Sequence, residues 1–298
     1  MILVTGARGN VGSVVARELR TAGASLRSGV RAPAAGAADD VAFDFTDPAT
    51  WAAAFDGVTS MFLVRPPAIG NVRRDLLPAM AAARDAGVEH VVFLSLQGAE
   101  KNKVVPHATV ESWLRGSGLA WTFVRASFFH QNLSITHASD VRDRDEILVP
   151  AGRGATAFVD AEDVGAVAAA ALLDPAPHRD RAWTVTGPRA LTYGEVASIL
   201  SAELGRPIRY PRPGALRYAR HARRTLEMPW GMVAVTTAIY TTARLGLAAG
   251  LTDDVRTVLG RDPIDLAAFA HRERRAWLRS PARNDTPTDP APNTQDTP

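Results

Sequence analysis

Three glycines at a spacing of three, Gly6, Gly9 and Gly12, follow the wholly apolar run Ile2, Leu3, Val4. After them comes a segment rich in helix formers, with an apolar stripe at Val11, Val14, Val15 and Leu19. A strand, a glycine turn and a helix in that order let backbone N–H groups approach a pyrophosphate, and the helix N-terminus adds partial positive charge. That context makes the motif informative where isolated glycines would not be. The residues expected to line the turn are Gly6, Arg8, Gly9, Asn10, Val11 and Gly12.

A dinucleotide site specific for NAD places a carboxylate on the ribose 2′-hydroxyl about 20 residues beyond the turn. Here that position holds Arg31, and Arg8 lies inside the turn itself. Guanidinium groups bind a 2′-phosphate that a carboxylate would repel, so the expected cofactor is NADP(H). The other reading of Arg31 is a solvated surface arginine. Asp39 and Asp40 lie too far into the following loop to alter the expectation. Asp44 and Phe45 end a short run, residues 41–45, where a doubly wound sheet meets the adenine. A carboxylate there can accept from an exocyclic amine, and the neighbouring ring can lie against the base. Equally, Asp44 can cap the segment that follows. Val64, ending the apolar run 58–64, completes the candidate cofactor contacts.

These residues need a scaffold, and the chain spells one out. Short strands at 2–4, 26–31, 41–45, 58–64, 90–95 and 119–125 alternate with helices at 13–22, 47–57, 72–86 and 106–116. Asp47-Pro48 opens one helix as cap and first residue, and Gly87 closes another. The pattern predicts an α/β fold, a doubly wound parallel sheet of the Rossmann kind with a smaller, mostly helical C-terminal substrate lobe. Its expected parts are residues 1–150, with a helix and strand near 158–187 rejoining the sheet, then a lobe at 188–280 and a disordered tail at 281–298. Residues 127–144 have no clear period and are expected to cover the mouth of the sheet. A capping box at Thr192–Glu195 opens a helix that Gly205 ends. Further helices are expected at 215–226, 230–249, 252–259 and 264–279.

Composition bounds the function. With 298 residues, 46% hydrophobic and a net charge of +3, the chain reads as an ordinary globular protein. No basic stripe interleaves with aromatics, which argues against nucleic-acid binding. There is no cysteine, in keeping with a reducing, cytoplasmic setting. No basic leader precedes the first strand. Residues 231–250 are broken by threonines and Arg244, so they read as a core or interface helix rather than a membrane span. The seven histidines make no His-x-x-x-His pair, and no metal site is expected. The arginine-rich run 217–224 reads as a solvated helix face, or a site for an acidic substrate or partner. A homo-oligomer is compatible with the sequence.

Several stretches resemble the NmrA-like branch of the atypical short-chain dehydrogenases. They are the turn Thr5 to Gly12, Asp44, and Ala86-Gly87-Val88-Glu89-His90-Val91-Val92-Phe93-Leu94-Ser95. Glu111, Leu114, Ser117-Gly118-Leu119, Thr122 and Arg125 add to them, as do Phe129, Asn132-Leu133 and the run Phe158 to Val164. The resemblance covers roughly residues 1–210. It implies an NADP-binding domain, a variable helical lobe and a substrate cleft between them, but no single reaction. Family members reduce quinones or plant phenolics, and one is a transcriptional regulator that senses the nucleotide.

The departures are informative. Typical short-chain dehydrogenases use a Tyr-x-x-x-Lys pair on the helix that here reads His107-Ala108-Thr109-Val110-Glu111, with neither residue. Lys101 and Lys103 precede that helix. The remaining candidates are His107, whose ordinary pKa suits a proton donor, Ser95 at a strand's carboxyl end, and Asn132 on the irregular segment, with His130 and Gln131 beside it. Each is equally readable as a helix-end or loop hydrogen bond. The expected function is an NADPH-dependent oxidoreductase passing hydride directly to a quinone, enone or other carbonyl-bearing small molecule. The alternatives are a non-catalytic NADP(H)-sensing regulator with a protein partner, and a non-redox enzyme that uses the nucleotide as a scaffold.

Overall fold

The computed structural model describes residues 1–279; the expected tail at 281–298 lies outside them. The chain opens with β1 (Ile2–Thr5), α1 (Asn10–Thr21), β2 (Leu26–Val30), β3 (Asp40–Ala42) and α2 (Trp51–Phe55). Next come β4 (Ser60–Val64), α3 (Val72–Asp75), α4 (Leu77–Asp85), β5 (His90–Leu96), α5 (Pro106–Gly116) and β6 (Ala120–Ala126). The middle holds β7 (Phe128–Phe129), α6 (Gln131–Ser134), α7 (Ala138–Arg144), β8 (Ala155–Thr156), β9 (Phe158–Val159), α8 (Ala161–Leu173) and β10 (Arg181–Val185). The chain then continues through β11 (Leu191–Thr192), α9 (Tyr193–Leu204), α10 (Ala215–Arg224), α11 (Trp230–Arg244), α12 (Asp254–Leu259) and α13 (Leu266–Glu273).

Seven strands form one parallel sheet in the order β10-β6-β5-β4-β1-β2-β3. The order reverses between β1 and β4, the switch point at which ligands of open sheets bind. One face of the sheet is buried under α2, α4 and α5, through Phe55, Met80 and Leu114. The other is buried under α1 and α8, through Val11, Val15, Leu19, Val164 and Val167. These helices approach closely: a Cβ on Gly165 of α8 would lie 2.5 Å from Val14 of α1. A third core, around Tyr193, Tyr218, Tyr240, Phe269 and Trp277, joins the C-terminal helices to Leu133, Val141, Ile147 and Phe158.

Several elements differ from the sequence reading, each for a local reason. The strand expected at 41–45 is β3 at 40–42, because Phe43 and Phe45 turn inward and pack edge to face, with ring centroids 4.8 Å apart. The helix expected at 72–86 is broken at Leu76, where Pro78 removes a donor from the ladder. The helix expected at 47–57 is a 3₁₀ turn capped by Asp47, followed by the short α2. Residues 127–144 hold two short helices, and the helix expected at 230–249 stops at Arg244 before Gly246, which has φ +75°.

Leaving the sheet after β6, the chain returns through β9, which pairs in parallel with β7. Then α8 is laid on α1, and β10 pairs with β6 along residues 181–185. Buried acids clamp the lobe to α8. Asp160 Oδ2 accepts from Arg272 Nη2 at 2.7 Å, and Asp163 Oδ1 accepts from Arg261 Nη1 at 2.7 Å.

The tightest constraint is at the first turn. Gly6 has φ +64°, and a Cβ on Gly12 would lie 2.1 Å from the Gly6 carbonyl oxygen. A Cβ on Gly9 would lie 3.3 Å from the same atom. Gly12→Ala is therefore expected to lower the unfolding free energy by about 2–3 kcal/mol, and Gly9→Ala by clearly less. Urea denaturation of the two variants checks this; equal effects would refute it.

Candidate functional site

Thr5 is the pin of the first turn. Its buried hydroxyl donates to the Phe62 carbonyl at 2.9 Å and accepts from the Val64 N–H at 2.9 Å, joining the carboxyl ends of β1 and β4. Val64 is thereby set against Gly6, 3.4 Å from where a Cβ would be. Gly9 caps α1 with no side-chain acceptor, and the first turn of that helix holds no acid. Asn10, Val11 and Gly12 are its first residues, so their N–H groups stand at a helix N-terminus left for an anion. A glycine cradle that tolerates no Cβ, opening on an uncapped helix, fits a dinucleotide pyrophosphate.

The residues facing the expected ribose phosphate differ from the sequence reading in one respect. Asp40 is part of this cluster. Its carboxylate accepts from Arg8 Nη2 at 2.7 Å and from the Ala34 N–H at 3.1 Å, holding the Arg8 side chain across the turn. Position along the sequence concealed this, because β3 brings residue 40 back beside β2. Arg31 is exposed at the end of β2 and close enough to help lower the Asp44 pKa. The larger cause is Thr46, whose N–H and hydroxyl both donate to Asp44 Oδ1, at 2.8 and 2.7 Å. Asp44 thus stabilises its own turn, and its second oxygen has no partner among the described residues. Phe45 is a correction. Its ring is buried against Phe43 in the core, so the ring-on-base contact expected of it has no face to use.

The carboxyl edge of β5 and β6 carries the candidates for the reacting end. Ser95 is buried and donates to Glu111 Oε1 at 2.7 Å. Glu111 also accepts two bonds from Arg125, at 3.0 and 2.7 Å, and one from Arg115 at 3.1 Å. Burial pushes the Glu111 carboxyl up, but the bonds from Arg125 and Ser95 outweigh it and its pKa is lowered. Ser95, a candidate for its place at the strand's carboxyl end, is thus a member of this buried network, its hydroxyl donating to Glu111.

His107, one turn before Glu111 on α5, stacks on Phe93 with ring centroids 5.8 Å apart. Burial, followed by the charge of Arg65, lowers its pKa to about 4. The proton donor expected near neutrality is instead a neutral imidazole at pH 7. Arg65 follows Val64 directly and was not singled out in the sequence. Its Nη1 donates to the carbonyls of Pro66 and Ile69, at 3.0 and 2.7 Å, while Arg65 Nε and His107 Nδ1 are buried with no partner among the described residues. An arginine at the carboxyl end of a switch-point strand was the available signal.

Asn132 is half-buried on α6, and among the described residues its side chain makes no hydrogen bond. Its neighbours are already committed. Gln131 donates to Asp160 at 2.8 Å and accepts from the Ala161 N–H at 3.1 Å, closing the N-terminus of α8. His130 is buried, stacked on Phe158 and 3.9 Å from Asp160. Of the polar residues expected on this segment, Asn132 is the one left to meet a ligand.

Two buried histidines make the stability pH-dependent. His90 and His107 both have their pKa lowered from 6.5 to about 4 by burial, so below pH 6.5 the unfolded chain binds protons that the folded chain does not. Stability is expected to fall as pH drops from 6.5 toward 4. His107→Gln should reduce that slope by up to about 1.4 kcal/mol per pH unit. An unchanged slope in denaturation series across this range would show that His107 titrates normally.

Known proteins share both the sequence and the geometry. An NAD(P)H azoreductase of Xenophilus azovorans is 36% identical, with 93% of this chain and 99% of that protein covered. A (4-alkanoyl-5-oxo-2,5-dihydrofuran-3-yl)methyl phosphate reductase of Streptomyces griseus is 35% identical, over 88% of this chain and 93% of that one. An Escherichia coli NADPH-dependent quinone oxidoreductase, solved with NADPH, superposes with a TM-score of 0.80 at 23% identity, covering 91% of this chain and 99% of the other. The family match spans residues 1–217, from the glycine turn to the start of α10. The chain belongs to the NmrA-like family.

Proposed function

We propose that this protein reduces a quinone, enone or other carbonyl-bearing small molecule by direct hydride transfer from NADPH, without a Tyr-x-x-x-Lys pair. The protein is an NAD(P)H-dependent oxidoreductase of the NmrA-like family, and NADP(H) is its cofactor. The observation that carries the finer reading is the state of α5. At the two positions where a tyrosine and a lysine would work stand a neutral imidazole and a carboxylate already bound to Arg125. Neither can supply a proton at pH 7. That suits acceptors for which positioning suffices and solvent provides the proton.

The residues divide the work by place. The N-terminus of α1 and the turn at Gly6, Gly9 and Gly12 hold the pyrophosphate, while Val64 supports the turn from below. Arg31 and Arg8 hold the 2′-phosphate, with Asp40 fixing the direction of Arg8. The free oxygen of Asp44 accepts from the adenine amine. When bound, the cofactor supplies the hydride. His107 offers a hydrogen bond from its neutral ring rather than a proton, and Asn132 orients the acceptor from the opposite side. The relatives named for reducing an azo compound and a dihydrofuranone phosphate support a conjugated, electron-poor acceptor.

Purified protein mixed with NADPH and a panel of quinones, enones and azo dyes should consume the cofactor, followed at the nicotinamide absorbance. Tight NADPH binding with no turnover across the panel would sink the reductase reading and favour a nucleotide-sensing regulator. His107→Gln should keep kcat within about tenfold, whereas loss of a general acid costs roughly 10²–10⁴-fold. Arg31→Asp should weaken NADPH at least about tenfold relative to NADH. Asp40→Ala should shift the same ratio in the same direction by less, and equal effects on both cofactors would exclude a 2′-phosphate role.

A further inference from the structure

The segment from Arg206 to Arg244 concentrates charge and apolar surface in a way the reductase site does not use. It holds eight arginines and one acid, Glu227, a net +7 within a chain whose total is +3. Arg206, Arg209 and Arg217 are paired, with Asp145 for the first and Glu146 for the other two. Arg212, Arg220, Arg224 and Arg244 are exposed and make no ion pair among the described residues. Between Met228 and Ala243 there is no charge at all.

The structure turns both features outward together. α10 buries Tyr218, His221 and Ala222, leaving Leu216, Arg220 and Arg224 on its outer side. α11 buries only Val233, Tyr240 and Ala243 of its 15 residues. Met232, Val235 and Ile239 recur at i, i+3 and i+7, so they share one exposed face. The two helices are packed against each other, with Tyr218 Oη bonded to Thr236 at 2.8 Å and the Arg223 guanidinium 5.6 Å from the Trp230 ring centroid. Leu216 is 77% exposed, Trp230 64% and Leu247, just beyond α11, 74%. Exposed apolar residues gathered on two packed helices mark an interaction surface.

We propose that this two-helix face docks on an anionic lipid surface. The chemistry selects that occupant. Unpaired arginines beside an uncharged helix with tryptophan and aliphatic residues match a headgroup layer above acyl chains. A second copy would bring two strongly positive faces together, and a nucleic acid would leave the apolar stripe unused. No helix among the described residues is long and apolar enough to cross a bilayer, so the contact is interfacial. The proposal goes beyond the reductase reading and does not depend on it. The loop after α11 also reaches the carboxyl edge of β5, where Gln97 Nε2 donates to the Gly250 carbonyl at 2.8 Å.

Sedimentation of the full chain with phosphatidylcholine vesicles, with or without phosphatidylglycerol, tests it. Binding should require the anionic lipid and weaken with added salt. Arg220→Gln with Arg224→Gln should reduce it about 30-fold, and Trp230→Ser with Val235→Ser at least about tenfold. All four positions are exposed, and unchanged circular dichroism would confirm that the fold is kept. No binding to anionic vesicles overturns the proposal. So does a dimer in solution that the apolar variant dissociates while vesicles are ignored, which would assign the face to a second copy. Binding insensitive to the apolar variant and reproduced by duplex DNA would also overturn it.

Discussion

The Gly6 carbonyl oxygen and α1 stand so close that the helix can carry no side chain where it passes, and position 12 answers with a glycine. That approach sets the direction of α1, and with it the apolar stripe through Val11, Val15 and Leu19 that seats the helix on β1 and β2. It also leaves the cap position and the third residue of the helix without side chains, at the point where strand order reverses. The packing requirement and the proposed anion site share one geometry: the glycines that let the helix in also leave amides that could meet a phosphate.

At the other end of the cleft the logic is electrostatic. Glu111 and Arg125 are both buried, and each is tolerable because the other is there with matching hydrogen bonds. The pair stitches α5 to β6, and Ser95 joins it from β5. A carboxylate so engaged cannot act on a substrate, and the histidine one turn earlier is held neutral. On the function proposed above, chemistry at this edge would rest on placement and on solvent, while the buried charge pair holds α5 and β6 together.

Much of this was readable from residues alone, and the failures have physical reasons. The glycine turn, the alternation of strands and helices and the capping box at Thr192 were legible because each rests on local backbone needs. The seven-stranded sheet followed from them. What local pattern could not show was pairing across distance. Asp40 looked remote from Arg8 until parallel pairing of β2 and β3 brought them together. Ser95 reads as available in sequence, but its hydroxyl donates to Glu111, and Phe45 reads as a base platform, but its ring packs on Phe43 in the core. His107 kept an ordinary pKa on paper because burial is not written in sequence. The breaks at Leu76 and after Arg244 were signalled by Pro78 and Gly246, yet the periodic pattern ran through both.

The packing of α8 on α1 bears on how the molecule is made. The glycine turn is among the first parts of the chain to be synthesised, but α1 has its outer apolar side covered only when residues 161–173 arrive and Gly165 meets Val14. Between them lie five of the sheet's strands and the whole excursion through β7 to β9. Arg17 and Glu162 then close the same junction by charge. Contacts of this sequence separation are slow to form, so the nascent chain carries an unfinished nucleotide site through most of its synthesis. The earliest element of this protein thus gains its full packing only when α8, about 140 residues later, has been laid on it.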